Sequence, residues 1–156
     1  MRRREIVSGV VIRPAQLADV ARLAQIARAA YAKYIPRMGR EPAPMSADYA
    51  AAVADGDAAV IVRGQTILGY LIGRAYGDNF FIENIAVDPA CQGKGLGAQL
   101  MRYAMAEARR LGLPALSLYT NAAMSENLAF YAHLGFVETH RLVEDGYNRV
   151  YMRLTL

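Results

Sequence analysis

The order of hydrophobic periodicities along the chain predicts a mixed α/β fold, and three observations carry that expectation. Short alternating or continuous apolar runs bounded by turn residues recur early and late, the pattern of antiparallel hairpins. Two longer segments repeat apolar residues at helical spacing. In the middle, a strand-like run, a glycine-rich turn, a helix and a buried-looking run follow one another, a strand–helix–strand crossover of the kind that parallel strands require. With 156 residues, 54% hydrophobic and 21% charged, the chain suits one globular domain over residues 1–156 with its own core.

Each element has a local reason. Residues 7–13 read as a first strand, and residues 18–32 as an alanine-rich helix with Leu17, Val20, Leu23, Ala24 and Ala27 on one face. The stretch "YIPRMGREPAPM", residues 34–45, has three prolines and a glycine and reads as an irregular loop, a lid over whatever lies beneath; Ser46 then caps a short helix to about Ala54. Residues 58–63 and 66–75 form strands around Gly64 and Gln65, a hairpin, and residues 80–87 a further strand. After the glycine turn, Leu96, Leu100, Ala104, Ala108 and Leu111 recur at helical spacing up to Gly112, a C-terminal stop. Residues 115–119 are a strand, 124–134 a helix closed by Gly135, and 137–143 and 150–154 two last strands.

Composition removes several classes of function. The formal charge is +4, but Arg2, Arg3 and Arg4 supply three of the 18 basic residues, which leaves 15 against 14 acidic ones, or +1. A near-neutral body argues against a broad nucleic-acid-binding face. An export signal is not expected, because the apolar run at residues 6–12 is short, broken by Ser8 and Gly9 and closed by Arg13. No stretch approaches the roughly 18 apolar residues of a membrane span. The single cysteine, Cys91, forms no internal disulfide and, with two histidines, gives no metal-site pattern. A cytoplasmic protein without a metal is the expectation.

The chemistry concentrates in "NIAVDPACQGKGLGAQLM", residues 84–101. Glycines at a helix start free backbone N–H groups, place them at the positive end of the helix dipole, and let an anion approach where Cβ atoms are missing. A P-loop would need Ser or Thr after the Gly-Lys pair, and Lys94 is followed by Gly95. Gly93, Gly95 and Ala98 formally fit a dinucleotide fingerprint, but the next strand ends Tyr119-Thr120-Asn121, without the carboxylate that would hold a ribose. The whole stretch, Val87-Asp88-Pro89 and then Gln92-Gly93-Lys94-Gly95-Leu96-Gly97, resembles the signature loop of the GNAT superfamily of acyl-CoA-dependent N-acyltransferases.

A second segment, "NLAFYAHLGF" at residues 127–136, is similar to the other hallmark of that family, although Ala129 and Phe130 are adjacent here where the family pattern separates them. Asn127 and Tyr131 are four apart and share a helix face. The resemblance covers about residues 80–137. It implies a mostly antiparallel sheet of six to seven strands with one splayed parallel pair and about four helices. It also implies acetyl-CoA as cosubstrate and direct transfer of an acetyl group to a primary amine of a small molecule or peptide. By resemblance Gln92, Gly93, Lys94, Gly95, Leu96, Gly97 and Ala98 would hold the pyrophosphate. The backbone of Ile85, Ala86 and Val87 would pair with the pantetheine arm, which Asn127 would also contact, and Tyr131 would protonate the departing thiolate. A backbone N–H of the same strand would face the thioester oxygen.

Glu83 stands out in "FFIENIAV". Alternation puts it on the face of Phe81, Ile85 and Val87 unless a bulge re-aims it. A carboxylate buried there would be costly and would titrate high, which suits a general base for the incoming ammonium. The alternative role is to bind the amine or pair with an arginine. His133 is expected at the surface, His140 near the acceptor end, and Asn121 as a helix cap or a ligand.

For the acceptor, Tyr31, Tyr34, Met38, Tyr49, Tyr76 and Tyr147 are candidate lining, with Asp78, Glu144 and Asp145 available to a cation. Polyamines, amino acids, aminoglycoside-like amines and protein amines all fit that description. A homodimer is an expectation from the resemblance alone. The competing reading is a non-catalytic acyl-CoA-binding sensor, which would keep the glycine loop without needing both Glu83 and Tyr131.

Overall fold

The computed structural model describes residues 9–156. The arginine-rich start, with Val7 and Ser8 of the expected first strand, lies outside the described residues; β1 is Val11–Pro14. It is followed by helix α1 (Val20–Tyr31), helix α2 (Tyr49–Ala54), strands β2 (Ala58–Arg63), β3 (Thr66–Tyr76) and β4 (Asn79–Val87), and helix α3 (Leu96–Arg110). Strand β5 (Ala115–Asn121), helix α4 (Ser125–His133) and strands β6 (Val137–Glu144) and β7 (Tyr147–Thr155) complete the chain.

The strands form one seven-stranded sheet in the order β1-β2-β3-β4-β5-β7-β6. Every neighbouring pair is antiparallel except β4 and β5. The mixed α/β fold with one parallel pair, expected from the periodicities and the resemblance, is therefore the fold observed.

Alternating side chains split the core between the two faces of the sheet. Ile61, Leu71, Phe80, Ile82, Leu116 and Leu118 pack with Leu96, Leu100, Met101, Ala104 and Ala108 of α3. Val60, Val62, Tyr70 and Ile72 pack with Leu23, Ile26 and Ala27 of α1. Helix α3 buries Leu96, Leu100, Ala104 and Ala108 as its spacing predicts, but Leu111 follows its last turn and is exposed. On α1 the stripe is shifted: Leu23, Ile26, Ala27 and Tyr31 are buried, Val20 and Ala24 are partly buried, and Leu17 is exposed in a 3-10 turn before the helix.

Two local readings need correction. Residues 34–45 are more ordered than their prolines suggest: Ile35–Met38 forms one turn of α-helix, with single 3-10 turns at Ala32–Tyr34 and Ala43–Ser46. Pro36 sits at the start of its turn, where a missing N–H removes no bond, and Gly39 at φ 72° ends it. Helix α2 is capped by Asp48, whose carboxylate accepts from the Ala51 N–H at 3.0 Å, and not by Ser46.

The fold prepares the site through a bulge in β4. Ile72 and Gly73 of β3 face Asn84 and Ile82, so Glu83 is an extra residue without a partner. Before the bulge, Phe80 and Ile82 point to the α3 side; after it, Asn84 and Ala86 point to the α1 side, while Ile85 and Val87 pack on the α3 side. One inserted residue exchanges the faces of the strand.

Candidate active site

The parallel ladder between β4 and β5 is short. Phe80, Phe81 and Ile82 pair with Leu116, Ser117 and Leu118, and beyond them no pair joins the two strands. The rest of β4 thus has a free edge along a cleft. Two carbonyls on that edge already have donors: the Tyr31 hydroxyl reaches the Ile85 carbonyl at 2.9 Å, and the Gln92 side-chain amide reaches that of Val87 at 3.3 Å. Because a strand residue points its N–H and C=O the same way, the Ile85 and Val87 N–H groups also face the cleft.

At the end of β4 the glycine turn is built on an ion pair. Asp88 accepts from the Ala90 N–H at 3.0 Å and from Arg22 of α1 at 2.7 Å; these bonds hold its carboxyl below the usual carboxylate range. Arg22 also donates to the Ile67 carbonyl. Gly93 and Gly95 have φ of 83° and 77°, a region that disfavours any side chain, and Gly95 is the N-cap of α3. Gly97 is constrained differently: a Cβ there would lie 3.2 Å from Cζ of Phe130, and the ring would have to shift to admit it.

Two cavities, each of about 480 Å³, lie along successive stretches of β4, one against residues 85–87 and one against residues 81–85. The first, on the glycine-turn side, is lined by Ile85, Ala86, Val87, Gln92, Gly93, Gly95, Leu96, Gly97, Ala98, Asn127, Phe130 and Tyr131. Lys94 is exposed and does not line it. The second is walled by Glu83, Arg74, Arg149, a set of aromatic rings and Ala43, Pro44 and Ala47 from the proline-rich segment. Tyr31, Ile85, Asn127 and Tyr131 line both, so the cavities meet at these four residues.

Tyr131 is 5% exposed, and among the described residues its hydroxyl has no hydrogen-bond partner. Burial, with a contribution from Tyr34, pushes this phenol well up, so it stays protonated. An orphaned buried hydroxyl at the junction of two cavities is a group waiting for a ligand atom. Asn127, one turn earlier, has only a weak contact to Met124 Sδ at 3.5 Å.

Glu83 is not buried: its side chain is 38% exposed and pairs with Arg74 at 2.5 Å. The bulge turns it toward the second cavity, away from the apolar environment that strict alternation would have given it. Behind it, buried Asn84 donates to the Tyr49 hydroxyl at 2.9 Å and accepts from that of Tyr70 at 3.0 Å, while Tyr49 reaches the Pro44 carbonyl. This triangle fixes both the bulge and the segment that walls the cavity.

Of the residues expected near the acceptor, Tyr31, Met38, Tyr76 and Tyr147 line the second cavity; Tyr34 lies in the first, and Tyr49 is buried behind. Asp78 instead pairs with Arg153 at 3.2 Å, and Glu144 with Arg149 at 3.3 Å and with the Tyr151 hydroxyl. His133 is exposed, and His140 stacks on Tyr151 outside the cavity wall. Asn121 caps no helix; it closes a turn by accepting from the Ala123 N–H at 2.9 Å.

Sequence reasoning passed over Arg74, Arg149 and the Arg22–Asp88 pair. Arg149 had a signal: Tyr147, Arg149 and Tyr151 alternate with the buried Val150 and Met152, which marks them as one lining face of β7.

The sequence profile of the Acetyltransferase (GNAT) family matches residues 21–136, and the chain belongs to that family. An uncharacterized N-acetyltransferase of Escherichia coli (strain K12), YjgM, is 46% identical over 48 residues, which are 31% of this chain and 29% of that protein. Among solved structures, the PaiA N-acetyltransferase of Thermoplasma acidophilum in complex with coenzyme A aligns with a TM-score of 0.79 at 17% identity, covering 94% of this chain and 99% of that one. YncA of Salmonella typhimurium, solved with its cofactor acetyl-CoA, aligns with a TM-score of 0.69 at 22% identity over 94% of each chain. At such identities these likenesses are of fold. No helix among the described residues is long and apolar enough to cross a membrane.

Proposed function

We propose that residues 1–156 work as one catalytic domain that transfers an acetyl group from acetyl-CoA to a primary amine within a ternary complex, in the cytoplasm. The observation that carries this reading is the Tyr131 hydroxyl, which has no hydrogen-bond partner among the described residues, where the two cavities meet. The first cavity fits coenzyme A by its chemistry: a left-handed glycine turn at a helix start suits a pyrophosphate, and a free strand edge suits an amide-bearing arm. Acetyl-CoA supplies the acyl group as a thioester.

This chain's residues then divide the work. The Gly93–Gly97 turn anchors the phosphates, and Asn127 and the β4 edge align the arm. The Ile85 N–H, held in place by the bond from Tyr31 to its own carbonyl, is the donor for the oxygen that gains charge. Glu83, on the acceptor side, takes a proton from the ammonium, directly or through a water, once the amine displaces Arg74. Tyr131 gives its proton to the departing sulfur. In balance, the nitrogen–carbonyl bond forms, the carbon–sulfur bond breaks, and the ammonium loses two protons, one replacing that of Tyr131 and one leaving to solvent.

Calorimetric titration with acetyl-CoA, followed by a free-thiol assay over a panel of amines, tests the reading. Binding with thiol release for one class of amine is the expected result. Binding without release from any amine would favour the sensor, and absence of binding would overturn the assignment of the glycine turn.

A further inference from the structure

Resting on the acyltransferase reading, we propose that the acceptor is a small amine that also carries a carboxylate, and that Arg149 is the residue that holds that carboxylate. The charged residues on the wall of the acceptor-side cavity are Arg74, Glu83 and Arg149. Among the described residues each arginine has one acidic partner, Glu83 on Arg74 at 2.5 Å and Glu144 on Arg149 at 3.3 Å; the partner of Arg149 is the looser one and stands off the cavity wall, so the lining residues themselves carry one positive charge more than negative. A polyamine would need several carboxylates, and Glu83 is the one acidic residue among the described residues of the lining: Asp78 is tied to Arg153 and Glu144 to Arg149, and neither lines the wall.

Arg149 is built into the wall. Its side chain is 16% exposed and stands on β7, and its guanidinium lies 4.4 Å over the Tyr119 ring. Only Nη1 is engaged, at 3.3 Å from Glu144; among the described residues Nε and Nη2 have no partner. A largely buried guanidinium with two idle donors, fixed by stacking, matches the two oxygens of a carboxylate in a way that a flexible lysine would not. Glu144 also accepts from the Tyr151 hydroxyl, which holds the Arg149–Glu144 pair in register.

The remaining wall chemistry narrows the class. Tyr76, Phe81, Tyr119, Tyr147 and Tyr151 surround the space with rings, and its volume of about 480 Å³ has room for an amino acid with a large side chain. Opposite charges at separate places, Glu83 for the ammonium and Arg149 for the carboxylate, orient a zwitterion with its nitrogen toward the junction at Tyr131. An aromatic or thioether α-amino acid fits this arrangement.

The test uses matched pairs: phenylalanine, tyrosine and methionine, each against its decarboxylated amine, with acetyl-CoA as donor. Thiol release gives kcat/KM, and calorimetry on the coenzyme A complex gives binding for each compound. The expected result is that the amino acids bind and react better than their amines. In Arg149→Gln the acid-to-amine ratio should fall about 10- to 100-fold, with Arg149→Lys in between. Unchanged melting and acetyl-CoA affinity show that the variants are folded. The proposal is overturned if the decarboxylated amines are preferred, if the amino acids neither bind nor react, or if Arg149→Gln lowers both members of each pair by the same factor. Absence of acetyl-CoA binding by the unaltered protein would instead sink the acyltransferase reading beneath it.

Discussion

The Tyr31 hydroxyl donates to the Ile85 carbonyl at 2.9 Å, and this bond joins the end of helix α1 to the free edge of β4 where the two cavities meet. Burial pushes the Tyr31 phenol well above its usual value, with nearby Tyr131 adding to the effect, so the donor survives alkaline conditions. Tyr31→Phe leaves a carbonyl without its partner and should lower stability by about 1–2 kcal/mol in a urea titration. It should also lower kcat, because the Ile85 N–H loses its brace. A variant that melts and turns over like the parent would show that water replaces the hydroxyl and that the brace is dispensable.

Tyr131→Phe has the opposite profile. Its hydroxyl bonds to no described group, so its removal should cost little stability and leave acetyl-CoA affinity intact. Turnover should drop by about 100-fold or more if the phenol is the acid. Because the folded phenol titrates well above its ordinary value of about 10, kcat should show no alkaline fall from this group below about pH 10. An undiminished kcat in the variant would remove Tyr131 from the chemistry.

Glu83→Gln separates a base from a partner of Arg74. As a base, its loss should cut kcat by about 100-fold or more and change the shape of the pH–rate profile. A structural partner would give a smaller loss with the profile preserved, and Arg74→Gln would then reproduce it. The double variant supplies the coupling between the two side chains.

At the glycine turn two different constraints can be told apart. Gly95→Ala forces a side chain into φ 77°, at a cost of about 1–2 kcal/mol, and should weaken acetyl-CoA binding by distorting the cap of α3. Gly97→Ala is unstrained in the backbone but pushes on Phe130, which lines the same cavity. Aspartate at either position should abolish binding through bulk and like charge, as read by calorimetry. Retained affinity in both aspartate variants would place the phosphates elsewhere.

The glycine turn, the Asn127–Tyr131 face and the middle of each helix stripe were legible because each depends on neighbours in sequence; Leu17 and Leu111, at the stripe ends, are exposed because the helices stop short of them. Glu83 was half legible: its oddity showed, but its direction is set by a bulge that exists only through the register with Ile72 and Gly73. The acceptor-side charge was misjudged for the same reason. Asp78, Glu144 and Asp145 are acidic in sequence, yet Arg153 and Arg149 meet the first two across the sheet, and Asp145, at φ 52°, shapes a two-residue turn with Gly146. That turn is where Arg40 and the Glu41 carbonyl fasten the proline-rich segment, through the Asp145 carbonyl at 2.8 Å and the Tyr147 hydroxyl at 2.9 Å. Long-range pairing of charges does not show in periodicity.

Glu126 stands at the start of α4 beside the cofactor-side cavity and is gripped by Arg37 at 2.5 and 2.9 Å. The Arg37 bonds, and next its own backbone N–H, lower its carboxyl to about 2. With the folded value below the unfolded one, whatever the pair contributes is present above about pH 4.5 and is lost as pH falls toward about 2. Both side chains are more than 40% exposed, so salt screens the pair and its effect on melting should be small. Its effect should appear in kinetics, because it ties the segment after α1 to α4 at the wall of the cavity. Glu126→Gln should speed coenzyme A dissociation several-fold in stopped-flow at pH 7, high salt should do the same to the parent protein, and salt should add nothing to the variant. If dissociation from the parent ignores salt and from the variant is unchanged, the pair is a surface contact and the groove wall holds without it.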